Sequence, residues 1–216
     1  MKKILAAFLI MIAGVVTVAS AGDPWRHITR VFPSVQPLLY EDRFSCSTFL
    51  IDYERGIWLT AGHCVEYPGY RSIDGHAIEV IARSQTTDLA AVKAPRMARR
   101  ALTLAANPAE VGETLAIVGY NQAGYDARQP QLRKIVLLFP PLTGINLLGQ
   151  DVYEFGLPLL VTFSPVGMTM GMSGSPVLNR GFEVVGVHVA GFPGPVRGEI
   201  PLEDVKEFVV PLKSLK

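Results

Sequence analysis

The sequence predicts an all-β fold whose short strands close into barrels or pack as a sandwich, in two halves of similar size. Three observations carry this. Strand-like stretches rich in β-branched and aromatic residues recur along the chain. Glycine, proline, asparagine or aspartate separates them, and no long amphipathic helix interrupts them. At 216 residues and 49% hydrophobic, the chain is long enough to bury one large β unit or two small ones.

The first element in order is a targeting segment. Two lysines precede an apolar run over residues 4–18, and Ala19-Ser20-Ala21 has the small-x-small form that signal peptidase cuts. The run is shorter than the roughly 20 residues that span a bilayer, so residues 1–21 read as a removable signal peptide and not as an anchor. Export to the periplasm or the medium is the expectation. Removing Lys2 and Lys3 takes the formal charge from +1 to −1, and no long block of like charge follows. Nucleic acid and, once the signal is cleaved, membrane are therefore not expected partners.

The strands then come as "CSTFLID", "GIWLTAG", "HAIEVIARS", "LAAVKA", "ETLAIVGY", "RKIVLLF", "LPLLVTF", "SPVLN" and "FEVVGVHVAGF". Between the fourth and fifth, Pro95, three arginines, Asn107-Pro108 and Gly112 break the pattern, which sets the halves at residues 22–105 and 106–216. The single helix candidate is terminal, "PLEDVKEFVVPL". Pro201 can open it, Glu203 and Asp204 suit its N-terminal end, and Leu202, Val205, Phe208 and Val209 share a face. Two cysteines, Cys46 and Cys64, can bridge in an oxidising compartment. A loop of that size is worth about 3 kcal/mol in the chain-entropy model, and two free thiols are the alternative.

Four histidines occur, at 27, 63, 76 and 188. His63 ends an apolar strand beside a cysteine, and a bridge there would fix the backbone as a catalytic base requires. Asp88, in "SQTTDLAAVKA", stands at the mouth of another apolar strand, where its carboxylate can orient an imidazole or serve as a turn residue. In "MTMGMSGSPVLN", Gly171 and Gly174 flank Ser173, which fits a tight turn or a nucleophile whose neighbouring amides face the reacting atom.

In the order His63, Asp88, Ser173, the blocks "FSCSTFLI…GIWLTAGHC", "TTDLAAVKA" and "GMSGSP" resemble those of trypsin/chymotrypsin-like serine proteases, over most of the chain after the signal. The resemblance implies two six-stranded antiparallel β-barrels with a C-terminal helix and an active site in the cleft between them. Ser173 would attack a peptide carbonyl, His63 would carry its proton, and Asp88 would hold the His63 tautomer. The amides of Gly171 and Ser173 would form the oxyanion hole. Asp74 is the fallback third member, although Asp74-Gly75 reads as a hairpin turn. Met172 stands where trypsin-like zymogens carry an activating Asp, and Gly167 stands where the Lys/Arg-selecting Asp would be. Neither an activation salt bridge nor basic specificity is expected.

"FEVVGVHVAG" resembles the S1 wall of V8-type glutamyl endopeptidases and picornaviral 3C-like proteases, in which a histidine recognises Glu or Gln. Substrate contacts are thereby implied for His188, Thr169, Met168 and Gly191, and the two methionines at 168 and 170 could instead line an apolar pocket. His188 as a buried structural residue is the alternative. No metal or other cofactor is expected, since no ligand motif occurs. The implied protein is a monomeric endopeptidase acting on proteins or peptides. A protease-fold binding module that uses its cleft only for recognition is the competing class.

Overall fold

The computed structural model describes residues 23–95, 97, 99–146, 152–164, 170–191 and 196–212. The signal segment, Gly167, Met168 and Thr169 lie outside them.

Seven strands make up the N-terminal sheet: β1 (Val35–Tyr40), β2 (Arg43–Asp52), β3 (Ile57–Ala61), β4 (Arg71–Ile73), β5 (His76–Ala77), β6 (Glu79–Arg83) and β7 (Leu89–Lys93). Their order is β5-β4-β1-β2-β3-β7-β6, antiparallel throughout. Although β5 and β6 are opposite edges, only Ile78 separates them along the chain. The sheet therefore curls until its edges meet, and it is closed by a peptide link where strand pairing would be expected. Strand twist and irregular registers at Leu38/Leu39, Leu50/Asp52 and Val80/Ala82 provide the curvature. This unit differs from a closed six-stranded barrel because "HAIEVIARS" is not one strand: up to Ile78, whose amide meets the Arg71 carbonyl at 3.1 Å, it follows β4, and from Glu79 it pairs with β7.

The C-terminal strands are β8 (Thr114–Gly119), β9 (Gln131–Asn146), β10 (Val152–Phe163), β11 (Pro176–Leu178), β12 (Val184–Gly191) and β13 (Val196–Pro201). They close as a six-stranded barrel in the order β10-β13-β12-β11-β8-β9. A short helix, α1 (Gln122–Asp126), follows β8, and α2 (Leu202–Leu212) ends the described chain. The side chain of Asn121 caps α1 by accepting the Gly124 amide at 2.7 Å. Helix α2 buries Leu202, Val205, Val209 and Leu212, with Phe208 half-buried. Pro201 closes β13 instead of opening the helix.

Phe49, Leu38, Leu59, Ile73 and Leu89 are fully buried within the first sheet. Leu115, Ile117, Ile135, Leu137 and Val177 form the centre of the barrel. Where the halves meet, Ser47 on β2 bonds to both Tyr120, just past β8, and the turn before β11. Its hydroxyl accepts the Tyr120 amide at 2.8 Å and donates to the Gly171 carbonyl at 3.0 Å, and its own amide donates to the Ser173 carbonyl at 2.8 Å.

Candidate active site

Strand β3 is buried along its length and runs into a 3-10 turn, Gly62–Val65, that carries His63. The Cys46–Cys64 disulfide ties this turn to β2, with a Cα–Cα distance of 6.1 Å. Because β3 pairs with β7 in a register that sets Ala61 against Leu89, the next residues outward, Gly62 and Asp88, also face each other. The Gly62 amide donates to the Asp88 carbonyl at 2.9 Å, and the His63 amide donates to Asp88 Oδ1 at 2.7 Å. His63 Nδ1 lies 2.6 Å from Asp88 Oδ2. A Cβ at Gly62 would stand 2.9 Å from Asp88 Oδ1, so glycine is what permits this approach.

Burial pushes the Asp88 carboxyl up. The bonds from the His63 ring and amide, the His63 charge and the more distant Arg83 outweigh it and hold the group below its ordinary value. Asp74, the fallback, sits at positive φ in the β4–β5 turn beside Gly75 and pairs with Arg99 at 2.5 Å. It is engaged elsewhere.

Gly171 and Gly174 adopt φ of +98° and +81° around Ser173. A Cβ on Gly174 would collide with the Ser47 carbonyl and the Thr60 hydroxyl, and one on Gly171 with the Phe44 ring. Both glycines are needed for the turn to lie against the first sheet. Neither the Gly171 nor the Ser173 amide donates a hydrogen bond among the described residues. The Ser173 hydroxyl likewise makes no hydrogen bond among them, so the structure joins His63 to Asp88 and leaves Ser173 on an adjacent turn without a bond to the imidazole. Catalytic bonds of this kind are commonly long before substrate arrives. Met172 is 1% exposed and packs in the barrel core, a hydrophobic anchor in the place of an ion pair.

On the other flank, the Gly174 amide donates to the His188 carbonyl at 2.7 Å, and the His188 amide donates to the Ser175 carbonyl at 2.9 Å. The His188 side chain is buried, with Nδ1 2.7 Å from Glu199 Oε2. Glu199 Oε1 accepts the Thr162 hydroxyl at 2.9 Å, and Glu199 is wholly buried. Arg197, also buried, adds positive charge nearby and is itself disfavoured as a cation by burial, partly offset by Glu199. Gly191 is exposed at the end of β12. Sequence reading did not find Ser47, Glu199 or Thr162. His188 and Glu199 are cross-strand partners, a relation that appears only once β12 and β13 are in register.

Cys46, His63 and Cys64 present potential metal-ligand atoms within 4.8 Å of one another. Both sulfurs are bonded to each other, which leaves one ligand and no metal centre there.

A family model described as "Trypsin-like peptidase domain" matches residues 46–187, more than half the chain. No curated protein matches by sequence. Among solved structures, the chain is similar to the Rv3671c protease of M. tuberculosis in its active form, with TM-score 0.69 and 17% identity, covering 91% of this chain and 90% of that one. It is similar to the MamO protease domain of Magnetospirillum magneticum, with TM-score 0.64 and 18% identity, covering 84% and 98%. A serine endoprotease from Yersinia pestis gives TM-score 0.67 and 14% identity, covering 90% and 68%. At these identities the likeness is one of fold.

Proposed function

The chain belongs to the trypsin-like peptidase domain family, and from that premise we propose that it is an exported serine endopeptidase working through His63, Asp88 and Ser173. The observation that carries the proposal is the double engagement of Asp88, which holds both the amide and the ring Nδ1 of His63. Nε2 is thereby the nitrogen left to take the Ser173 proton and return it to the leaving amine, while the acyl group rests on Ser173. The free amides of Gly171 and Ser173 meet the charge that develops on the carbonyl oxygen. A disulfide beside the base and the signal-like N-terminus support an exported protein acting in the periplasm or outside the cell. Among the described residues, no helix is long and apolar enough to cross a membrane.

For the acyl side, the reading is Glu or Gln at P1, met by His188. With Nδ1–H held by Glu199, Nε2 is the ring atom that remains, and it donates to a substrate oxygen when the ring carries both protons. Substituting Glu199 with Gln keeps the volume and one acceptor and removes the charge. The expected outcome is a drop of about tenfold in kcat/KM for Glu or Gln at P1, with little change for leucine. Equal losses on all three would assign Glu199 to structure alone.

The direct test of the reading is a fluorophosphonate probe applied to the mature protein. Labelling that disappears in Ser173→Ala and in His63→Ala is the expected result. A folded, disulfide-bonded wild type that stays unlabelled would refute the peptidase and favour the binding module.

A further inference from the structure

A cavity of about 420 Å³ opens where the two halves meet, and neither His63 nor Ser173 lines it. The first sheet contributes Leu39 and the Asp74 turn. Tyr120 and Tyr125 face them from the other half, with Arg99 and Arg128 completing the wall.

The polar groups are oriented and incompletely used. Asp74 Oδ2 holds Arg99 Nη2 at 2.5 Å, whereas Arg99 Nε is buried with no hydrogen-bond partner among the described residues. Tyr120 is only 5% exposed, and its hydroxyl, in the fields of Arg99 and Asp74, makes no hydrogen bond among them either. Burial raises the Tyr120 phenol further, against the pull of Arg99, so it remains a proton donor. Arg128, held at φ +53° after α1, forms no ion pair among the described residues. Two guanidinium groups thus line the cavity with one carboxylate, which leaves it an excess of positive charge beside the unused Tyr120 hydroxyl.

Its position relative to the nucleophile turn follows from the aromatic residues. Tyr125 stacks on Phe44 with centroids 5.1 Å apart and planes at 9°, and Phe44 is the ring against which Gly171 packs. One aromatic layer separates the cavity from the oxyanion turn. His188 approaches that turn from the opposite flank, through Gly174.

We propose that this cavity binds a carboxylate of the peptide on the leaving-group side of the scissile bond, with the Tyr120 hydroxyl and the Arg128 guanidinium donating to it and Arg99, held by Asp74, adding charge. The leaving-group placement rests on the peptidase reading and on His188 marking the acyl side. A guanidinium edge beside a hydroxyl matches the two oxygens of a carboxylate, and the volume suits a side chain or a chain end. Leu39 and Tyr125 supply the apolar wall for its methylenes.

The test is calorimetric binding to Ser173→Ala protein of four peptides that differ only beyond the cleavage point. They carry Glu or Ala there, each with an amidated or a free C-terminus. The expected result is about tenfold tighter binding when a carboxylate is present, lost at high salt. A gain from Glu in amidated peptides assigns the side chain, and a gain only from the free terminus assigns the product end. Adding Arg99→Met should remove the gain. Since that change also releases Asp74, Arg128→Met and Tyr120→Phe are measured beside it; they break no side-chain bond within the described protein and should each reduce the gain. Equal affinities for all four peptides, or a gain unchanged in all three variants, overturn the proposal. Fluorophosphonate labelling of the same three variants with Ser173 restored should match wild type. If wild type does not label, a persisting carboxylate gain overturns the leaving-group placement while showing that the cavity takes carboxylates.

Discussion

At the scale of single residues, Asp88 and Ser47 carry the most testable consequences. The Asp88 carboxyl is held below its ordinary value of 3.8. Its ionised form therefore adds stability that is present above that value and is lost as the pH falls through the lowered folded one. Asp88→Asn should be less stable than wild type at neutral pH, with the difference shrinking below about pH 4 in denaturant titrations. Its kcat at neutral pH should fall by about 10⁴-fold if it holds the His63 tautomer as proposed. Ser47→Ala would strand the Tyr120 amide and the Gly171 carbonyl at a buried interface. A loss of about 1–3 kcal/mol in unfolding free energy is expected, together with slower fluorophosphonate labelling, because the turn of Ser173 loses one of its supports. Ser47 was not legible in the sequence, since nothing local distinguishes it from Ser45. Its role comes from a contact 124 residues away.

Among the elements, the most predictable were those whose pattern and environment agreed. Buried β3 and β7 read as apolar runs, and α2 read from its apolar face and acidic first turn. Strand β1 was hidden by Pro37, which removes a ladder donor. It is tolerated because pairing with β4 begins only at Leu38. Strands β4 and β13 escaped because Arg71, Arg197 and Glu199 interrupt their apolar character, yet all three are buried and engaged in interactions. The turn carrying Ser173 belongs to this scale too, because Met172 fastens it to the barrel core. Met172→Ala should cost about 2–5 kcal/mol in thermal or chemical unfolding. The catalytic turn should loosen before the strands do, seen as faster amide exchange at Gly174 and Ser175.

For the molecule as a whole, the all-β class and the family were legible from three short blocks. The unequal closure of the two sheets was not, because it turns on the chain changing partner at Ile78, from β4 before it to β7 after it. The Cys46–Cys64 bridge joins β2 to the turn of His63 within the first sheet only. Replacing both cysteines with alanine should therefore lower stability by about 3 kcal/mol in guanidinium titrations and reduce labelling of Ser173 further than stability alone accounts for.

The bonds from Ser47 to the Gly171 and Ser173 carbonyls reach from β2 to the turn before β11, the first of them across 124 residues, and they bear on when the proposed site is assembled. Contacts so distant in sequence are among the last to form as a chain folds, since a long loop must close first. The half that carries His63 and Asp88 precedes Ser173 along the chain, and the turn of Ser173 packs against the first sheet, so it takes its shape once that sheet is in place. If the proposed triad operates, its three members therefore come together only at the end of folding, and no earlier stage holds a complete site.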